Sequence, residues 1–223
     1  MELYGKKVNF LGDSITEGVG VSDIPNCRYD NRLRARFSLT TNNYGIGGTR
    51  FAHQSTASEK PRWDLCFCGR AYNLDPKADL TVIYGGVNDY LHGDAPFGEE
   101  GDTTPNTFVG AVYFLMNLLK TMYPTQKVVF MTPARCKFFG ADYRTPSLHE
   151  AKRPDARPLA DYVRVVVEAG KRFDIPVLNL FEKLPIDPIN EEDNARFTVD
   201  GLHFNDDGHA HLAKLLGDFL LAL

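Results

Sequence analysis

Lys7-Val8-Asn9-Phe10-Leu11-Gly12-Asp13-Ser14 decides the reading of this chain: a short apolar run ends on a glycine, an acid and a small hydroxyl residue. Such a run, bounded by glycine, reads as a buried strand that must turn at once into the next element. Four further candidate strands stand out after the first at 7–11, at 40–44, 80–84, 127–131 and 176–180. Between and after them, apolar residues recur at helical spacing. The stripes are Phe108, Val112, Leu115 and Leu119, then Leu159, Val163, Val166 and Phe173, then Leu212, Leu215, Phe219 and Leu223. Strands alternating with amphipathic helices predict βα units around a parallel sheet, an α/β fold with the stripes in its core. A chain of 223 residues without internal repeat or linker suits one domain over 1–223, and so one active site.

Composition narrows the function classes. With 43% hydrophobic and 24% charged residues, the chain is an ordinary globular protein rather than a disordered one. Its net charge of −4 gives no basic surface, so no nucleic-acid partner is expected. No run approaches the roughly 20 apolar residues that span a bilayer, and residues 8–11 are too few for a signal-peptide core. The expectation is a cytoplasmic protein without a membrane partner, while a homo-oligomer stays open. Cys27, Cys66, Cys68 and Cys136 are few and irregularly spaced, which predicts reduced thiols. Cys66 and Cys68 form CxC with no second pair, so no zinc site is expected.

Ser14 follows a strand end, where parallel sheets line their ligand crevice and a following helix offers backbone N–H groups. It is a candidate nucleophile, and the competing role for Asp13 or Ser14 is a helix cap. A serine hydroxyl needs a base, most often histidine. DxxH, a spacing that could let a carboxylate brace an imidazole, occurs as Asp89 with His92, Asp200 with His203 and Asp206 with His209, so the motif alone selects nothing. Position does: Asp200 and His203 lie in a Gly-containing turn after the fifth strand, on the sheet edge that carries Ser14. His203 therefore leads His92 as the base, although His92 could also face the pocket. His209 and His211 fall in a helical pattern and are expected exposed or partly packed, and His53 and His149 solvated in polar loops. Two loops could donate to an oxyanion: Asn43-Tyr-Gly-Ile-Gly-Gly-Thr49 through a backbone N–H, and Gly85-Gly-Val-Asn-Asp89 through the Asn88 amide. Standing alone, the first loop reads better as a tight βα turn and Asn88 as a helix cap. Together they fall on one edge of one sheet.

These blocks resemble those of the SGNH (GDSL-type) hydrolase family, in the family's order and over nearly the whole chain. Gly12-Asp13-Ser14-Ile15 looks like its first block, Asn43 to Gly48 its second, Gly86-Val87-Asn88-Asp89 its third and Asp200-Gly201-Leu202-His203 its fourth. The resemblance implies Ser14 as nucleophile, Asp200 orienting His203, and an oxyanion hole from Ser14, Gly48 and Asn88, with Gly47 the adjacent alternative to Gly48. It also implies a three-layer α/β/α domain with a five-stranded, flavodoxin-like sheet in the order 2-1-3-4-5. The GxSxG elbow of α/β-hydrolases is absent. No metal or organic cofactor is expected.

The substrate reading rests on loops at 50–62, 91–105 and 133–158, longer than connection alone requires and so candidate pocket walls or surface decoration. Arg50, Phe51, Trp63, Tyr90, Phe97, Phe138, Phe139 and Tyr143 are polar and aromatic wall candidates without a long apolar run. They favour a small-molecule ester with a short acyl group, acetate first, on a polar carrier such as a sugar. Arg135, Lys137, Arg144, Lys152, Arg153 and Arg157 against Asp142, Glu150 and Asp155 make the third loop basic, which leaves an anionic carrier open. The alternatives are an acyl thioesterase or lysophospholipase with the same machinery and a noncatalytic carbohydrate-binding protein on the same fold. A metal-dependent phosphoesterase would have to draw on Asp206, Asp207, His209 and His211 and is disfavoured.

Overall fold

The structure, a computed structural model, describes residues 1–138, 140–152 and 155–223. Its centre is an all-parallel sheet in the order β2-β1-β3-β4-β7, built from β1 (Lys7–Gly12), β2 (Thr40–Gly45), β3 (Leu80–Tyr84), β4 (Lys127–Met131) and β7 (Val177–Leu178). Strands β5 (Lys137–Phe138) and β6 (Ala141–Asp142) pair antiparallel as a separate hairpin. This is the α/β, flavodoxin-like order that the resemblance implied. In chain order the helices are α1 (Ser14–Glu17), α2 (Ile24–Cys27), α3 (Tyr29–Phe37), α4 (Phe67–Arg70), α5 (Val87–Leu91), α6 (Phe108–Met122), α7 (Leu159–Phe173), α8 (Leu180–Lys183), α9 (Glu191–Phe197) and α10 (Asp206–Ala222). None among the described residues is long and apolar enough to cross a membrane.

The period of two along each strand sorts its side chains between two cores. Val8, Phe10, Leu80, Val82, Tyr84, Val129 and Met131 face α3 and α10, where Leu33, Leu212 and Leu216 meet them. Leu11, Ile83, Val128 and Phe130 face the opposite layer, with Phe67, Phe108, Leu115 and Val166 of α4, α6 and α7. The stripes of α6 and α7 thus seat their helices, whereas α10 is seated by Leu212, Leu216 and Leu220, with Leu215 and Phe219 only partly buried and Leu223 exposed; the sheet is covered on both faces. In β1 Gly12 is level with Gly45 of β2 and with Tyr84 of β3. That register brings the ends of the three strands, and the loops they feed, side by side.

Two further expectations are corrected. The fifth strand is shorter than 176–180, because the Asn179 side chain accepts from the Glu182 N–H and starts α8 at Leu180. His209 is fully buried rather than exposed or partly packed. Its Nδ1 accepts from the Tyr29 N–H at 3.3 Å, its ring stacks on Tyr29 at 5.9 Å, and burial pushes its pKa down to about 4.

Candidate active site

Helix α1 begins at Ser14 immediately beyond β1, and the cap is Asp13, whose Oδ1 accepts from the Ile15 N–H at 3.0 Å. Ser14 is thereby left free of the capping role. Burial pushes the Asp13 carboxyl up to about 6, and its second oxygen has no partner among the described residues. The first turn sits directly on the strand end: a Cβ at Gly12 would lie 1.9 Å from Thr16 Oγ1. Arg70 ties the loop ends together, donating to the carbonyls of Gly12 at 3.1 Å and Tyr44 at 2.5 Å and to Thr49 Oγ1 at 2.8 Å.

His203 reaches Ser14 from the far end of the chain, with Nε2 2.9 Å from Ser14 Oγ. Its Nδ1 lies 2.7 Å from Asp200 Oδ2. The other carboxylate oxygen accepts from the backbone N–H groups of Leu202 at 3.0 Å and His203 at 2.8 Å. Gly201 makes this turn at φ +86°, and a bridge between Thr198 and Phe204 closes it. Burial alone would push the Asp200 carboxyl up, but the bonds from the His203 ring and backbone outweigh it and hold the group below the usual carboxylate range. Of the three DxxH motifs, this one alone braces its own histidine. Asp89 instead accepts from the Phe51 and Ala52 N–H groups, and Asp206 from Ser22.

Ser14 shares its cleft with donors that have no acceptor among the described residues. The Ser14 and Gly48 N–H groups donate to no described residue, whereas the Gly47 N–H is taken by Glu17 Oε2 at 2.8 Å. Glu17 thus separates two glycines that the sequence left as alternatives. Asn88 uses one amide hydrogen on the Thr49 carbonyl at 3.0 Å, which leaves the other available. Gly48 has φ +78°, and a Cβ there would lie 2.0 Å from Trp63 Cδ1. Gly48→Ala is therefore expected to cost roughly 2–5 kcal/mol, combining left-handed backbone strain with overpacking against the indole. Thermal unfolding measures it, and a melting temperature equal to wild type would contradict the close packing of Trp63 on Gly48.

These groups open on a cleft of about 340 Å³ whose wall includes Glu17, Val19, Lys60, Arg62, Trp63, Leu91, His92, Phe138 and Leu202. Of the expected wall residues Trp63 and Phe138 are there. Arg50 is buried behind the wall, Phe51, Tyr90 and Phe97 are core, and Tyr143 packs on Phe181. Phe139 and Arg153 lie outside the described residues. The described basic residues of 133–158 do not line the cleft: Arg144 pairs with Asp142, Arg157 with Asp155 and Arg135 with Asp187, and Lys152 is buried. Its positive charges are Lys60 and Arg62, the latter paired with Glu17 at 2.6 Å. Sequence reasoning missed Glu17, Lys60 and Arg62, which carry no motif of their own. His53 and His149 are exposed, as expected, and His211 packs against Phe197. Asp206, Asp207, His209 and His211 do not converge, and among the described residues no group of three or more such side chains could hold a metal ion.

A serine, a histidine and a carboxylate in hydrogen-bond line, beside free N–H donors at the edge of a parallel sheet, form the kind of arrangement that serves acyl transfer in serine hydrolases. Residues 10–211 match the model of the GDSL-like lipase/acylhydrolase family, and the chain belongs to that family of hydrolases. Among solved structures it is similar to a Lactobacillus plantarum protein, at 26% identity over 98% of both chains with a TM-score of 0.82. A possible lipase from Chitinophaga pinensis is 20% identical over 97% of this chain and 98% of its own, with a TM-score of 0.67. A two-domain esterase active on acetylated mannans is 21% identical over 99% of this chain and 50% of its own, with a TM-score of 0.58. No protein of curated function matches the sequence.

Proposed function

We propose that the protein is a serine esterase that removes short acyl groups, acetate first, from a polar alcohol such as a sugar, by way of an acyl group carried on Ser14. The observation that carries this reading is the line from Asp200 Oδ2 through His203 to Ser14 Oγ, with steps of 2.7 and 2.9 Å. Asp200 accepts from the Nδ1–H, so Nε2 is the unprotonated nitrogen and can take the Ser14 proton as Oγ attacks the carbonyl carbon. Charge then develops on the carbonyl oxygen beside the Ser14 and Gly48 N–H groups and the free Asn88 amide hydrogen. Collapse releases the alcohol, which takes the proton from His203. Water, deprotonated by His203, then attacks the acyl carbon, the acid leaves, and Ser14 recovers its proton.

The chain acts in this reading as one domain, needs no metal or organic cofactor, and with four unpaired thiols works in the cytoplasm. A cleft of about 340 Å³ that places Glu17, Lys60 and Arg62 beside the Trp63 indole supports a polar carrier, since ring faces and hydroxyls find partners there. The likeness to an esterase active on acetylated mannans points the same way. Initial rates on p-nitrophenyl acetate, butyrate, octanoate and palmitate test the acyl preference. The rate is expected to be highest on acetate and at least about tenfold lower on octanoate, because among the described residues longer chains find only Val19, Trp63, Leu91, Phe138 and Leu202 as apolar wall. A rate that climbs with chain length would move the substrate to lysophospholipids or acyl thioesters.

A further inference from the structure

His92 has no part in the proton transfers described above, yet it is buried in the cleft wall one helical turn from Asn88. Its Nε2 lies 3.2 Å from Asn88 Oδ1, and its Nδ1 lies 3.2 Å from Arg50 Nη1. A guanidinium is a donor only, so Nδ1 must accept, and a neutral ring then carries its proton on Nε2. That proton points at Asn88 Oδ1. Arg50 is itself pinned, donating through Nη2 to Ser58 Oγ at 2.6 Å, the Trp63 carbonyl at 3.1 Å and Asp64 Oδ1 at 2.8 Å. Burial first, then the charges of Arg50, His149 and Lys152, push the His92 pKa down to about 3, so the ring stays neutral.

We propose that His92 is a positioning residue: held as its Nε2–H tautomer by Arg50, it donates to Asn88 Oδ1 and so turns the Asn88 amide nitrogen toward the developing oxyanion. This rests on the esterase reading of the same site. The two faces of the Asn88 amide are otherwise similar in shape. A flipped amide would set its NH2 against the His92 Nε2–H and its oxygen against the Thr49 carbonyl, two repulsive contacts in place of two hydrogen bonds. The chain Asp64, Arg50, His92, Asn88 thus converts a fixed charge into a fixed amide orientation, ready before the reaction begins.

Kinetics on p-nitrophenyl acetate, with Ser14→Ala run in parallel, test this. Deleting one oxyanion donor costs about 10²–10³ in kcat, so Asn88→Ala is expected in that range, and His92→Ala, which loosens the donor, at about 10–100-fold with KM within about twofold. Because His92 acts through Asn88, His92→Ala should add no further loss in the Asn88→Ala background, whereas a merely structural role would cost the same factor in both. His92→Gln, whose amide can accept from Arg50 and donate to Asn88, should recover most of the rate. Should His92→Ala fail to fold, ¹⁵N NMR of the wild type still decides, with an Nε2–H neutral ring expected down to pH 5. A wild-type kcat in His92→Ala, equal losses in both backgrounds, or an Nδ1–H tautomer overturns the inference while an inactive Ser14→Ala keeps the esterase reading. Full turnover in Ser14→Ala overturns both.

Discussion

Ser14→Ala is expected to lower kcat on p-nitrophenyl acetate by about 10⁴-fold or more while shifting unfolding by no more than about 0.5 kcal/mol. The two halves of that expectation come from different hydrogen bonds. The helix start depends on Asp13 Oδ1, which accepts from the Ile15 N–H, and this bond is untouched by the substitution. The Ser14 hydroxyl bonds His203 Nε2, so its removal leaves the backbone turn and the Ser14 N–H in place but leaves nothing to carry the acyl group. Circular dichroism, a thermal melt and initial rates on the same preparation separate these effects. A variant within about tenfold of wild type would return His203 and Ser14 to a structural pair; a variant that is inactive because it is unfolded would show that the cap is not Asp13 alone.

The strands at 7–11, 80–84 and 127–131 were legible because buried parallel strands are largely apolar or β-branched runs. The strand at 40–44 is instead an edge strand with no buried residue, and it offered only Thr40, Thr41 and Tyr44 as β-formers. The structure extends 7–11 and 40–44 by one residue to Gly12 and Gly45. Their order was not, because neighbours in a sheet are set by long-range packing, and only the family resemblance supplied it. Ser14 and His203 could be found by asking which polar residues follow strand ends. Asp89-His92, Asp200-His203 and Asp206-His209 are identical as spacings and differ only in backbone: a turn at Gly201 lets Asp200 reach its histidine, whereas Asp89 and Asp206 bond to distant segments. His209 was misread for a related reason. Helical period tells which residues share a face but not that the start of α3 will stack Tyr29 against it. The basic loop misled through net charge, although Asp142 with Arg144 and Asp155 with Arg157 stand two residues apart and neutralise one another locally. Asn88 and His92, at i and i+4 beside a strand end, carried a signal of proximity that a search for bases alone does not use.

Asp200→Asn should be the second most damaging exchange, lowering kcat by about 10⁴-fold with the fold intact. The turn itself forces this outcome. Asp200 Oδ1 accepts from two backbone N–H groups, of Leu202 and His203, so an asparagine must leave its carbonyl oxygen there and present its NH2 to His203 Nδ1. A donor facing Nδ1 makes that nitrogen the acceptor and moves the ring proton to Nε2, where it points at Ser14 Oγ and cannot receive the Ser14 proton. Asp200→Ala imposes no tautomer, and its kcat is therefore expected to equal or exceed that of Asp200→Asn even though alanine is the less conservative change. In the wild type the carboxyl is held below the usual carboxylate range, so its charge is present from mildly acidic pH upward and is lost only as pH falls through that lowered value. The acid limb contributed by Asp200 should accordingly lie below the range in which an ordinary aspartate titrates. Rates of both variants on p-nitrophenyl acetate, with melts to confirm folding, check the ranking. An Asp200→Asn enzyme faster than Asp200→Ala would mean that the carboxylate acts through its charge on the imidazolium more than through the tautomer it selects.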